Sequence, residues 1–341
     1  MKAVCDDKIP FIRPALDELM DEVAYLPGNR ITAGDVRDAE VLIVRTRTRC
    51  DRSLLEGSRV RFIATATIGF DHLDTDYLHE AGIQWVNCPG CNATSVAQYV
   101  RNSLILWSRH TGCDLSRLTA GVVGVGHVGK EVVKALETLG CRVLLNDPPR
   151  AEKEGGSRFV TLGQIAREAD IITIHTPLTR GGQWPTHHMI DGRFFHALGH
   201  RPLLINSARG EVVDNEALEA ALDDGRIRQA VIDTWENEPD IRLSLLKKVF
   251  IGTPHIAGYS ADGKANATRM VLKALCHYLG RPFTFSIVPP LLPDAGKLPA
   301  SSEDRALALY NPKRDSDLLK SCPEGFERQR GNYPLRREKA E

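Results

Sequence analysis

Short runs of aliphatic and β-branched residues alternate along most of the chain with stretches whose apolar positions recur at helical spacing, the pattern of an α/β protein built on parallel sheets. In the first hundred residues the expected strands are Ala3–Cys5, Val41–Arg45, Phe62–Thr67 and Gln84–Val86, with amphipathic segments Pro14–Asp21 and Thr75–Ala81 between them. Ser95–His110 reads as one helix, since Val96, Val100, Leu104 and Trp107 recur at its period. A stronger strand series follows: Ala120–Val125, Arg142–Leu145, Ile171–His175, Leu203–Asn206, Ala230–Asp233 and Val249–Ile251. Six strands with intervening helices make one doubly wound unit. After Pro282 the pattern breaks. The proline-rich run Ile287–Pro293 reads as a linker. Beyond it only scattered anchors remain (Leu307, Leu309, Tyr310, Leu318, Leu319, Phe326, Tyr333), so this region is expected to pack on the body or on a second subunit.

A chain of 341 residues is too long for one ordinary core and suggests two or three domains. Lysine plus arginine and aspartate plus glutamate both count 44, so no global field favours nucleic acid or an anionic membrane, and an anionic substrate must be held by locally placed basic groups. No stretch approaches the ~20 apolar residues of a membrane helix. The N-terminus turns acidic at Asp6-Asp7, where a signal peptide would be apolar, so the protein is read as cytoplasmic. Cys88-Pro89-Gly90-Cys91 is formally a C-x-x-C, open to a redox or half-zinc reading. Without a second pair, and with a Pro-Gly turn inside it, two buried or loop thiols are expected. His187-His188 invites a metal, but adjacent loop residues rarely face one ion; surface histidines and no metal site are expected.

Gly124, Gly126 and Gly129 form a G-x-G-x-x-G between an apolar strand and a helical pattern, the context that gives this motif its specificity for a dinucleotide. The first glycine permits a tight turn, the second lets backbone approach a pyrophosphate, and the third lets helix and strand pack closely. The next strand ends at Asp147, where a carboxylate would accept from the adenosine ribose hydroxyls and disfavour a 2′-phosphate; NAD is preferred to NADP. Arg150 complicates that choice, though a solvated loop arginine after Pro148-Pro149 is expected.

Arg209, Glu238 and His255 each follow the end of a strand in this unit, and ligands of open α/β sheets bind outside those ends. An arginine pairs a carboxylate bidentately, a histidine takes a proton near neutrality, and a glutamate beside it orients the ring and raises its affinity for that proton. Together they suit hydride removal from a hydroxy acid. Singly, each has a bland reading as a solvated arginine, an ordinary Glu-Pro turn and a structural histidine. In the run Arg45-Thr46-Arg47-Thr48-Arg49, alternate residues of a strand end would share a face, so that Arg45 or Arg47 would hold a phosphate, with Arg49 behind them; the alternative is a basic, solvated strand end.

The glycine turn, Asn206-Ser207-Ala208-Arg209-Gly210, Glu236-Asn237-Glu238-Pro239 and Thr253-Pro254-His255-Ile256-Ala257-Gly258 resemble the D-2-hydroxyacid dehydrogenase family, with motifs in the family's order from Val44 to Lys264. The resemblance implies two doubly wound parallel-sheet domains. One is a discontinuous flavodoxin-like substrate domain (residues 1–94 and 258–282), the other a Rossmann NAD domain (95–257), with a small C-terminal dimerisation region at 283–341. It makes Arg209 the carboxylate anchor, His255 the acid/base and Glu238 its partner. It assigns Gly124, Gly126, His127, Val128, Gly129, Asp147, Thr176, Ala208, Asp233 and Gly258 to NAD, with Asp233 on the nicotinamide carboxamide. Further segments, among them Thr65-Ala66-Thr67, Pro89–Ala93, Asp147–Arg150 and Ile251–Tyr259, are similar to a branch acting on a small phosphorylated four-carbon 2-hydroxy acid. Arg45, Thr46, Thr67 and Tyr259 would then contact substrate, Thr46 standing where the family often has serine. That branch carries a C-terminal dimerisation domain, like which Leu309–Glu341 looks, so a homodimer is expected. The region is expected to be shortened, because the family's domain would run past Glu341. Sister enzymes acting on 3-phosphoglycerate, glycerate or lactate, and a protein that only senses the nicotinamide cofactor, are the competing readings.

Overall fold

The computed structural model describes residues 1–290, 298–334 and 336–339. Of the linker reading, Leu291, Leu292 and Pro293 lie outside the described residues, as do Leu335, Ala340 and Glu341 of the C-terminal region. The chain forms two compact units, Met1–Asn92 with Ser260–Leu291, and Ala93–Tyr259 with Leu292–Glu341.

The first unit holds a five-stranded sheet of β1 (Lys2–Asp6), β2 (Glu22–Leu26), β3 (Val41–Val44), β4 (Phe62–Thr65) and β5 (Gln84–Val86), ordered β2-β1-β3-β4-β5. Every pair is parallel. Side chains alternate between two cores, as strands buried on both faces require. Ala3, Cys5, Val41, Ile43, Phe62 and Ala64 pack with Val271, Leu272 and Leu275 of the returning helix Ala261–Tyr278, while Val4, Leu42, Val44 and Ile63 fill the opposite core. This is the flavodoxin-like strand order, whose connections reverse direction between β1 and β3.

β2 is a strand that the hydrophobic pattern did not announce. Its helix ends at Leu19, three residues before the strand starts, and the strand is an edge that pairs with β1 alone. Glu22 is exposed and the other four residues are half-buried, so the apolar run that marks inner strands is missing. Two expected strands also end early: β3 stops at Val44 and β4 at Thr65.

The second unit holds β6 (Thr119–Val123), β7 (Arg142–Asn146), β8 (Ile171–Ile174), β9 (Leu203–Asn206), β10 (Gln229–Ile232) and β11 (Ile251–Gly252), ordered β11-β10-β9-β8-β6-β7 and again wholly parallel. The switch point lies between β6 and β8. The helix Ala93–Thr111 lays Val96, Val100, Leu104 and Trp107 on one face of the sheet, the four positions picked out by periodicity. The residues read as one C-terminal region are divided. Ile287 is buried in the core of the first unit, whereas Tyr310, Leu319 and Phe326 are buried in the cores of the second.

Candidate active site

The turn after β6 is built as its glycines demand. Gly124 has φ +86°, and a Cβ there would meet the backbone of His175 at 2.8 Å. A Cβ on Gly129 would stand 2.0 Å from the carbonyl oxygen of Gly124, so only glycine lets the helix His127–Thr138 close on the turn. A Cβ on Gly126 would meet nothing within 4 Å. That open space at a helix N-terminus is where a pyrophosphate fits, against N–H donors and the positive end of the helix dipole.

Asp147 caps the helix Pro148–Glu154, accepting from the Arg150 N–H, and its other oxygen accepts from the Val125 N–H at 2.8 Å. It therefore braces the glycine turn, and each oxygen keeps a lone pair for a ribose hydroxyl. Arg150 is not the solvated loop arginine expected. The two prolines open a helix instead of a loop, as proline does at a first turn. The guanidinium is paired with Glu154 through Nε and Nη2 at 2.7 Å each and also donates to the Val125 carbonyl. So committed, it is poorly placed to draw in a 2′-phosphate.

At the carboxyl ends of β8, β9 and β10, the hydroxyls of Thr176, Ser207 and Thr234 are buried with no hydrogen-bond partner. Buried hydroxyls rarely go unpaired, and a polar ligand along the strand ends would satisfy them. Together with the cradle at Gly126 they fit NAD. His175 donates or accepts at Thr173 through Nε2 (2.8 Å), and burial holds its imidazole neutral, with its pKa pushed down to about 3. Ala208, the other cofactor contact expected here, is buried with its N–H on Asn206 Oδ1.

Asp233 is buried, and burial pushes its carboxyl above the usual range. Its Oδ1 accepts from the Thr253 hydroxyl (2.6 Å) and the Ile256 N–H (2.8 Å), and its Oδ2 from the Ala257 N–H (2.9 Å). In this structure, then, it organises the loop that carries His255. The Tyr99 hydroxyl extends the network to Thr253. His255 itself has φ +57°, unusual for a residue with a side chain, and Asn237 in the facing loop has φ +58°. The loops meet where His255 Nδ1–H donates to Glu238 Oε2 at 2.8 Å, while Glu238 Oε1 accepts from the Trp235 N–H at 2.9 Å. Burial favours the neutral acid at Glu238, but the bonds from His255 and Trp235 outweigh it and hold the carboxyl below its usual range. Because a carboxylate only accepts, Nδ1 carries the proton and Nε2 is left as the base.

Arg209 follows β9, its Nη1 donating to the Ala208 carbonyl. The adjacent Gly210 ties this loop to the glutamate's, since a Cβ there would lie 1.9 Å from the Trp235 carbonyl oxygen. Arg330, on the short helix Phe326–Gly331, was missed by the sequence reading. Its Nη1 lies 3.8 Å from Glu238 Oε2 and 3.5 Å from Glu327, and it bonds the Tyr259 phenol. No motif marks it, because it reaches Glu238 from more than ninety positions along the chain. His188 also departs from expectation: it is only partly exposed, and its Nε2 bonds Glu236 at 2.5 Å. Among the described residues no cluster suited to a metal occurs.

In the first unit, residues 45–49 form a turn, so the strand alternation expected for the arginines does not hold. Arg45 pairs with the buried Asp6 at 3.2 Å across the β1/β3 switch point, Thr48 bonds the Gly28 carbonyl, and Arg49 pairs with Asp51 in solvent. Thr46 lies within this turn, and Thr67 is joined to Thr65 and the Gly69 carbonyl. Lys264, on the returning helix, was missed as well. Burial first, and the charge of Arg45 second, bring its ammonium down to about 8. All eight cysteines are free, Cys88 and Cys91 buried among them.

The family profile described as D-isomer specific 2-hydroxyacid dehydrogenase, NAD binding domain, matches residues 92–257. An erythronate-4-phosphate dehydrogenase of Bacteroides thetaiotaomicron is 53% identical over 339 residues, 99% of this chain and 97% of the relative; one from Bacteroides fragilis is 54% identical over 338, with the same shares. Among solved structures, the D-lactate dehydrogenase of Aquifex aeolicus, complexed with NAD and lactic acid, superposes with a TM-score of 0.66 at 25% identity, covering 82% of this chain and 96% of that one. No helix among the described residues is long and apolar enough to cross a membrane. With its strand-end histidine and glutamate and its NAD-fitting turn, the chain belongs to the D-isomer specific 2-hydroxyacid dehydrogenase family and is an NAD-dependent oxidoreductase.

Proposed function

We propose that this protein oxidises 4-phospho-D-erythronate at C2 to (R)-3-hydroxy-2-oxo-4-phosphooxybutanoate, a step in the formation of pyridoxine and pyridoxal 5′-phosphate. The observation that carries the reaction type is the bond from His255 Nδ1–H to Glu238, which leaves Nε2 free to take the hydroxyl proton. The choice of substrate is supported by relatives of that name at 53–54% identity. Bound NAD supplies the hydride acceptor. The remaining work falls to the chain: Arg209 anchors the carboxylate, His255 removes the C2 hydroxyl proton, and Glu238 stabilises the imidazolium that results. Arg45, Thr46, Thr67 and Tyr259 are our proposed substrate contacts, and the neighbouring cations Arg45 and Lys264 suit a phosphate. Gly124, Gly126, His127, Val128, Gly129, Asp147, Thr176, Ala208, Asp233 and Gly258 are proposed to hold NAD.

NADH formation with 4-phosphoerythronate is expected to exceed that with 3-phosphoglycerate by about 10²-fold in kcat/KM, because the shorter acid cannot fill the carboxylate and phosphate subsites together. Equal values would overturn the assignment of substrate. We further propose a homodimer working in the cytoplasm. Its free thiols suit a reducing compartment, and the dimer rests on the resemblance of Leu309–Glu341 to the dimerisation domain of its branch. Light scattering at the mass of one chain, or recovery outside the cytosolic fraction, would refute the respective half of this reading.

A further inference from the structure

We propose that Arg336, near the end of the same chain, is a positioning residue that holds the His255 loop in its left-handed conformation from the carbonyl side. A residue with a side chain persists at φ +57° only where its surroundings over-determine it. Asp233 supplies half of that constraint by accepting from the Thr253 hydroxyl and from the N–H groups of Ile256 and Ala257. Arg336 supplies the other half from the carbonyls of the same two residues. Its Nη1–H donates to the Ile256 carbonyl at 3.0 Å, and its Nη2–H to the Ala257 carbonyl at 2.6 Å. The two residues after His255 are thus held by a carboxylate on their donors and a guanidinium on their acceptors.

The guanidinium is itself fixed. Its Nε–H donates to Gln98 Oε1 at 3.1 Å, Nη2 reaches the Ser95 carbonyl at 3.4 Å, and the group lies 3.8 Å over the ring of Tyr310. Gln98 in turn donates to the Arg337 carbonyl at 2.9 Å, locking the segment to the long helix Ala93–Thr111. Arg336 is 9% exposed, and burying a guanidinium on carbonyls is costly unless every donor is used. A planar fork spans two successive carbonyls, which the single ammonium of lysine cannot do.

The inference rests on His255 being the acid/base. We expect Arg336→Lys to lower kcat by about 10- to 100-fold, while KM and the NAD dissociation constant change less than about threefold, since a displacement near 1 Å at a reacting group costs up to that much. Arg336→Ala should fall further and recover in part with millimolar guanidinium chloride. A folded Arg336→Lys with kcat within about twofold of the parent overturns the proposal, as does an equal loss of NAD affinity, which would mark a merely structural arginine. Should neither variant fold, Gln98→Met loosens the fork by removing one acceptor; kcat is then expected to fall about threefold at constant NAD affinity, and an unchanged kcat overturns the proposal. If His255→Ala retains turnover, the acid/base reading itself fails. A strict need for His255 with indifferent Arg336 variants defeats only the positioning role.

Discussion

His255→Ala is expected to lower kcat by about 10²–10⁴-fold, or about 3–5 kcal/mol of barrier, the usual contribution of a positioned general base. The NAD dissociation constant, read by fluorescence titration, should change little, because the imidazole lies in the loop after β11 whereas the glycine turn lies after β6. The size of the loss follows from the pairing with Glu238. Its carboxyl is held below the usual range, so the glutamate is ionised at neutral pH and, in the proposed reaction, would stabilise the imidazolium formed as the proton leaves C2. The sign for pH is that of a depressed acid. What the pair contributes is present above the ordinary carboxylate range and is lost only as pH falls through the lowered folded value. Retention of more than a tenth of the parent kcat in His255→Ala would remove the histidine from the chemistry.

Arg209→Lys carries the second large effect. Charge is conserved, yet a point ammonium cannot hold both carboxylate oxygens while also polarising the C2 oxygen, as a guanidinium can. A fall of about 10²-fold in kcat/KM is expected, with part of it in kcat because the misheld acid no longer presents its C2 hydroxyl to Nε2. The lysine should leave the loop in place, since Gly210, packed against the Trp235 carbonyl, sets its path. A variant within about threefold of the parent would show that another group anchors the carboxylate.

Much of this site was legible along the chain because it depends on local chemistry. Gly124, Gly126 and Gly129 announce the turn, and the steric distances at Gly124 and Gly129 show why no other residue fits at those two positions. Arg209, Glu238 and His255 were legible for a topological reason: strands of a parallel sheet end on the same edge, so residues just beyond them share that edge whatever the details of their loops. At Arg45–Arg49 the alternation of a strand does not apply, because β3 ends at Val44 and a turn begins. At Arg150 a proline pair that reads as a loop opens a helix instead, because proline suits a first helical turn.

The sequence by itself determined the α/β class, the parallel pairing, the dinucleotide turn and the strand-end placement of Arg209, Glu238 and His255, all of which follow from periodicity and from residues within a few positions of one another. The edge strand β2 needed β1 beside it to become a strand, because its own residues bury too little apolar surface to declare it. Only the tertiary structure decided which charges meet. The contacts of Arg330 with Glu238 and of Arg336 with the Ile256 and Ala257 carbonyls join positions that no local period relates. Asp233 shows the division within a single residue. Its place at the end of β10 could be read from the chain, but its hold on the His255 loop exists because burial removed water from the carboxylate and left three neighbouring donors to replace it.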